Sequence, residues 1–109
     1  MRKLSWFAIL LLTATVINYP NPFNPKTGQT TTIQCNTTIS SEAFLYIYDL
    51  SARLLVKRAF TLLANTDNKL SWNGYSDYNE LMGNGIYIYQ LISTARQRLG
   101  QGKIWVINK

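Results

Sequence analysis

Histidine is absent from the 109 residues, and cysteine occurs once, as Cys35. The first absence removes the Ser-His-Asp and Cys-His nucleophile arrangements and every zinc pattern that needs an imidazole. The second removes any internal disulfide, so packing and hydrogen bonds alone must hold the fold. Cys35 lies in a run of alternating residues, which favours a small buried apolar group in a strand over an intermolecular bridge. Acidic residues are scarce, five against 11 basic. Glu42, Asp49, Asp67, Asp77 and Glu80 all fall in expected corners and loops, where they read as solvated charges; a carboxylate pair needs a fixed separation for acid–base work. Asp77, Asn79 and Glu80 offer oxygens of the kind Ca²⁺ takes, at a spacing that matches no calcium loop. Gly83-x-Gly85 precedes a strand where a phosphate loop would need a helix start. The sequence therefore predicts a non-catalytic protein with no cofactor, no metal and no small-molecule substrate.

Proline is also scarce, and all three prolines stand in Asn18-Tyr19-Pro20-Asn21-Pro22-Phe23-Asn24-Pro25. Proline fixes φ, lacks an amide hydrogen and pushes the residue before it out of the helical region. The run is thus expected to be a stiff, extended lead-in to the first strand, with Tyr19 and Phe23 as the anchors that pin it to one end of a core. It divides two compositions. Before it, residues 1–16 form an apolar leader: Arg2 and Lys3, then Leu4-Ser5-Trp6-Phe7-Ala8-Ile9-Leu10-Leu11-Leu12. That pattern has the form of a secretory signal peptide and is short for a membrane span. The competing reading is a retained arm that packs against a partner subunit. After it, residues 17–109 carry enough apolar material for one modest core. The net charge is +6, or +4 once Arg2 and Lys3 are set aside, with the cations spread along the chain. Such a charge suits weak attraction to anionic surfaces, and no nucleic-acid recognition motif accompanies it.

What the chain does have is period two. Residues 30–36 place Ile33 and Cys35 on one face, and 40–42 read as a turn. In 43–49, Ala43, Leu45 and Ile47 point one way while Phe44, Tyr46 and Tyr48 point the other. Residues 53–60 pair back as a hairpin after a corner at 49–52. Leu70 and Trp72 face the core before the tight turn at Asn73-Gly74. Gly85 opens the strongest strand, with Tyr87, Tyr89 and Leu91 on one face and Ile86, Ile88 and Gln90 on the other. The last strand, about residues 98–108, alternates Ile104 and Val106 with Trp105 and Ile107. Short strands at this spacing, with no helical pattern outside the leader, predict an all-β fold, an antiparallel sandwich of about seven strands. The tyrosine stripe reads as aromatic core more readily than as a sugar platform. Tyr87, two residues into a late strand, has the position of a tyrosine corner, a phenol bonded to backbone across the preceding loop.

Residues 17–109 resemble the immunoglobulin-like domain shared by flagellar hook-capping proteins and the C-terminal sorting modules of type IX secretion cargo. The matching marks are the run from Asn18 to Pro25, Thr32-Ile33, Leu45-Tyr46-Ile47-Tyr48-Asp49, Arg53-Leu54, Trp72-Asn73-Gly74, Gly85-Ile86-Tyr87-Ile88-Tyr89-Gln90-Leu91 and Lys103-Ile104. The family usually has glycine where Ser51-Ala52 stands, aspartate at Asn73, and Leu-Pro where this chain reads Asn36-Thr37-Thr38. Its sorting module ends a long cargo protein, whereas here the module follows the leader directly. The resemblance implies an immunoglobulin-like sandwich and an exported bacterial protein, extracellular or at the cell surface. Its partners would be proteins of the secretion or envelope machinery, with the membrane met only through the leader. The other class of function is a structural subunit that assembles with copies of itself, the apolar arm adding a strand to a neighbour's sheet edge.

Overall fold

The computed structural model describes residues 13–109; most of the apolar leader lies outside them. Seven strands follow in order: β1 (Ala14–Tyr19), β2 (Thr31–Thr37), β3 (Ser41–Tyr48), β4 (Leu54–Leu62), β5 (Asn68–Trp72), β6 (Gly85–Ser93) and β7 (Arg98–Val106). They form two antiparallel sheets, β1-β2-β5 and β4-β3-β6-β7, packed face to face as an immunoglobulin-like sandwich. The fourth strand joins the sheet of β3 rather than that of β5, so one layer has four strands and the other three.

The alternation seen in the sequence builds the core directly. Ile33 and Cys35 from β2, Leu45 and Ile47 from β3, Leu91 from β6 and Ile104 and Val106 from β7 are all essentially without exposure. Each comes from the face that period two assigns to it, because successive side chains on a strand point to opposite sides. Cys35 is one of these core groups, and burial pushes its thiol pKa up, which keeps it protonated. Gly102 shows a second way of filling the core. It stands opposite Tyr89, whose buried ring occupies the space where a Cβ would sit, 2.7 Å from the nearest ring carbon. Asn68 is one of five buried polar residues among those described. Its side chain bonds the carbonyls of Cys35, Leu63 and Thr66 and the amide of Leu63, satisfying a buried amide while shaping the loop into β5.

Three expectations are corrected. The sandwich begins at Ala14, inside the stretch that composition groups with the leader, because Thr15 and Val16 pair in register with Asn36 and Cys35. A chain processed to leave β1 whole is therefore cut before Ala14. Ser41 and Glu42 belong to β3 rather than to a turn, since they pair with Leu62 and Thr61. The proline run is not a straight lead-in to the first strand: Asn18 and Tyr19 end β1, the rest follows it, and Pro25–Thr27 close a single 3₁₀ turn capped by the Asn24 side chain. Asn24, before Pro25, stays out of the helical region at φ −116° and ψ 89°, as its neighbour demands.

The loop charges also differ from the reading as free solvated groups. Asp77 accepts from the Lys57 amide at 2.8 Å and the Arg58 guanidinium at 2.9 Å, while its own amide donates to the Leu55 carbonyl. Glu80 pairs with Arg53 at 3.2 Å. These bonds lay the loop after β5 along the open edge of β4, covering part of an edge that would otherwise offer unpaired backbone. Burial pushes the Asp77 carboxyl up, but the Lys57 amide and Arg58 more than offset it, and the net pKa lies below the usual aspartate range. A carboxyl lowered in the folded state adds stability above its unfolded pKa, and that stability is lost as pH falls through the folded value. Asp77→Asn is therefore expected to lower stability at neutral pH by a few tenths of a kcal/mol, roughly the worth of an exposed pair. The difference from the parent should vanish in acid. Urea denaturation at several pH values checks this, and an equal deficit at acid and neutral pH contradicts it.

Candidate functional site

The segment just after β1 meets the end of the last strand at one end of the sandwich, and the proline–asparagine run is what joins them. β1 belongs to the three-stranded sheet, yet the residues just after it cross to the four-stranded one, where Phe23 bridges Val106 in parallel. The Phe23 amide donates to the Trp105 carbonyl and the Ile107 amide to the Phe23 carbonyl, each at 3.0 Å. Asn21 completes the clasp with both halves of its side chain, accepting from the Trp105 amide at 2.7 Å and donating to the Lys103 carbonyl at 3.0 Å. Asn18 donates to the same carbonyl at 3.1 Å. Proline cannot donate to a ladder. The asparagines therefore act as side-chain substitutes for the strand that Pro20 and Pro22 interrupt.

Beneath the clasp lies a row of aromatic rings. Phe23 meets Trp72 at 5.7 Å, and Trp72 meets Tyr87 edge-on at 6.2 Å. Polar atoms on these rings are satisfied locally: Trp72 Nε1 donates to the Tyr75 carbonyl at 2.8 Å, and the Tyr87 hydroxyl to the Gly83 carbonyl at 2.7 Å. Tyr87 thus has the geometry of a tyrosine corner, and burial, with Asp49 adding to it, pushes its phenol pKa up. Pro25 rests on Gly74. A Cβ there would stand 2.4 Å from the Pro25 Cβ, and φ is +84°, so both the contact and the backbone demand glycine.

The sequence-selected residues therefore converge, with three qualifications. Asn18, Asn21, Phe23, Asn24, Pro25, Trp72, Gly74 and Tyr87 are in or under the clasp; Pro20 takes part through its carbonyl, which accepts from buried Thr31, and Gly85 stands opposite Val106. Tyr19 does not anchor the core. It falls on the outer phase of β1, is 39% exposed, and bonds Gln34 on the sheet surface instead. Tyr89 lies deeper, beside Gly102, and Lys103 serves through its carbonyl while its side chain stays exposed. Sequence reasoning missed Asn108, which accepts from the Lys26 amide and donates to the Met82 carbonyl, and so ties the 3₁₀ turn to the loop before β6. An asparagine just past the last strand was the available signal.

The exposed surface here is a shallow concavity of about 260 Å³ lined by Pro22, Phe23, Asn24, Gln29, Ile107 and Lys109, with half-exposed Trp105 nearby. It offers amides, one ammonium and apolar patches. Among the described residues, no group of three or more His, Cys, Asp or Glu side chains could hold a metal ion.

No protein-family model matches this sequence, and no curated protein matches it. Solved structures do resemble it. Dimeric latent PorU from Porphyromonas gingivalis superposes over 93% of this chain at a TM-score of 0.77 and 21% identity. PorZ, an essential bacterial surface component of the type IX secretion system of the same organism, superposes over 85% at a TM-score of 0.60 and 20% identity. The chain spans 10% of the first and 11% of the second, and at these identities the likeness is one of fold.

Asn21→Ala removes both side-chain bonds to β7 and is expected to cost about 1–2 kcal/mol, against roughly 0.5–1 for Asn18→Ala, whose acceptor is shared. Urea midpoints of the two variants check the order. Equal and negligible losses would mean the asparagines do not hold the clasp.

Proposed function

We propose that this chain is an exported, non-catalytic module of a bacterial envelope or cell surface that acts in sorting or attachment by binding protein partners. Its recognition surface is the end of the sandwich where the proline–asparagine run meets the last strand. The observation that carries the reading is the superposition of nearly the whole chain on a domain-sized tenth of two much larger proteins, one of them a surface component of type IX secretion. Two proteins that share little sequence with this chain contain the same sandwich as one part among others, which supports a portable module. The geometry agrees with that role. The clasp makes a rigid platform of backbone-fixed amides and a half-exposed indole, and aromatic anchors of this kind are enriched where proteins bind proteins.

A reporter inserted between residues 12 and 13 tests the reading in Porphyromonas gingivalis. The reporter is expected at the cell surface, where added protease removes it, while the same reporter on the leader alone stays in the periplasm. A reporter that stays inside in both fusions, in cells that still display their own surface proteins, contradicts it.

A further inference from the structure

The outer face of the four-stranded sheet carries a pattern that neither the core nor the clasp uses. Phe44, Tyr46 and Tyr48 alternate with the buried residues of β3 and stand side by side on this face, ring centroids 6.3 and 6.4 Å apart, the two tyrosines nearly parallel at 21°. The strand registers set a cation in each of their rows. Tyr46 lies between Lys57 and the pair Gln90 and Gln101; Tyr48 is followed across the sheet by Ile88 and Lys103; Phe44 is followed by Ile92 and Arg98. Lys57 Nζ sits 4.7 Å over the Phe44 ring. Among the described residues the ion pairs are Arg53–Glu80 and Arg58–Asp77, so Lys57, Arg98 and Lys103 have no carboxylate partner there. The face's own carboxylates lie at its ends and are engaged: Glu42 accepts from Thr61, and Asp49 from the amides of Ser51 and Arg53.

We propose that this face binds an acidic polysaccharide, whose sugar rings stack on the Phe44, Tyr46 and Tyr48 row while its carboxylates meet Arg98, Lys57 and Lys103. Each row offers one apolar platform and one cation, and a polyuronate repeats one pyranose and one carboxylate. Gln90 and Gln101, 3.4 Å apart, continue the Tyr46 row on the side away from Lys57, with Arg98 donating to Gln101 at 3.3 Å, and offer amides to sugar hydroxyls. The row ends in an open concavity of about 320 Å³ bounded by Tyr48, Asp49, Leu50, Ala52, Ile88 and Gln90, a volume large enough for one terminal ring. An extended peptide is a poorer fit, because β3 and β6 are paired on both sides and leave it no backbone ladder. Single-stranded nucleic acid carries a charge on every nucleotide and favours a cationic groove that tracks its backbone, whereas these cations stand in separate rows with carboxylates at both ends of the face. The proposal is independent of the export reading.

Affinity electrophoresis of the full chain through gels containing polygalacturonate, dextran or no polymer tests it, with oligothymidylate as competitor. Retardation by polygalacturonate alone is expected. Tyr46→Thr and Tyr48→Thr, which keep β-branched residues in the strand, should each weaken it roughly tenfold with unchanged melting temperature, while Tyr46→Phe retains it. Retardation that survives both threonine variants would mean ion exchange and overturn the proposal. So would absence of retardation, tighter binding of oligothymidylate, or polymer-independent dimerisation that the threonine variants abolish in sedimentation.

Discussion

The Asn21 side chain, bonded to β7 through both its oxygen and its nitrogen, holds the segment after β1 against the last strand, and much of the remaining structure depends on that constraint. β1 is laid on one sheet and the residues after it are carried to the other, so the segment between them must cross the open end of the core. Prolines suit the crossing because they limit the conformations it can adopt, yet they leave β7 short of backbone partners. Asn21 and Asn18 supply those partners from their side chains. With the crossing fixed, Phe23 is driven into the end of the core against Trp72, Trp72 against Tyr87, and Pro25 onto Gly74. The last strand, the aromatic row and the tight turn after β5 are therefore one cooperative unit rather than separate motifs.

Where one face of a strand is buried and the other is not, the sequence is readable. Residues 43–48 and 85–92 alternate cleanly, and their inward and outward faces follow from period two alone. The same rule fails at β1, because Thr15, Val16 and Ile17 continue an apolar leader and the change of period is hidden in it. Tyr19 is misplaced for the same reason: its phase on β1 is visible only once the strand is known to start at Ala14. Asp77 and Asn68 were illegible because each acts on backbone far away in sequence, 20 residues off at Lys57 and 33 at Cys35. Ala52 is a subtler case. Its φ of +69° is the left-handed geometry that glycine serves best, and the family resembled here usually has glycine at this corner.

The fold separates its possible uses in space. The clasp end is stiff, rich in fixed amides and close to the last strand, as a surface read by a protein partner would be. The outer sheet face is aromatic and basic, and its rings stand on β3, an inner strand paired on both sides. The outer face does not draw on the core, so substitutions there can change recognition without unfolding the sandwich, whereas the clasp end shares Phe23 with the core.

Amide hydrogen exchange measures the central constraint most directly. Protection that reports only global unfolding belongs to groups locked into the cooperative core, whereas local fraying exchanges at lower free energy. The account predicts that the amides of Phe23, Trp105 and Ile107 exchange with the same opening free energy as Leu91, in the middle of the four-stranded sheet. Rapid exchange of those three amides while Leu91 stays protected would contradict it.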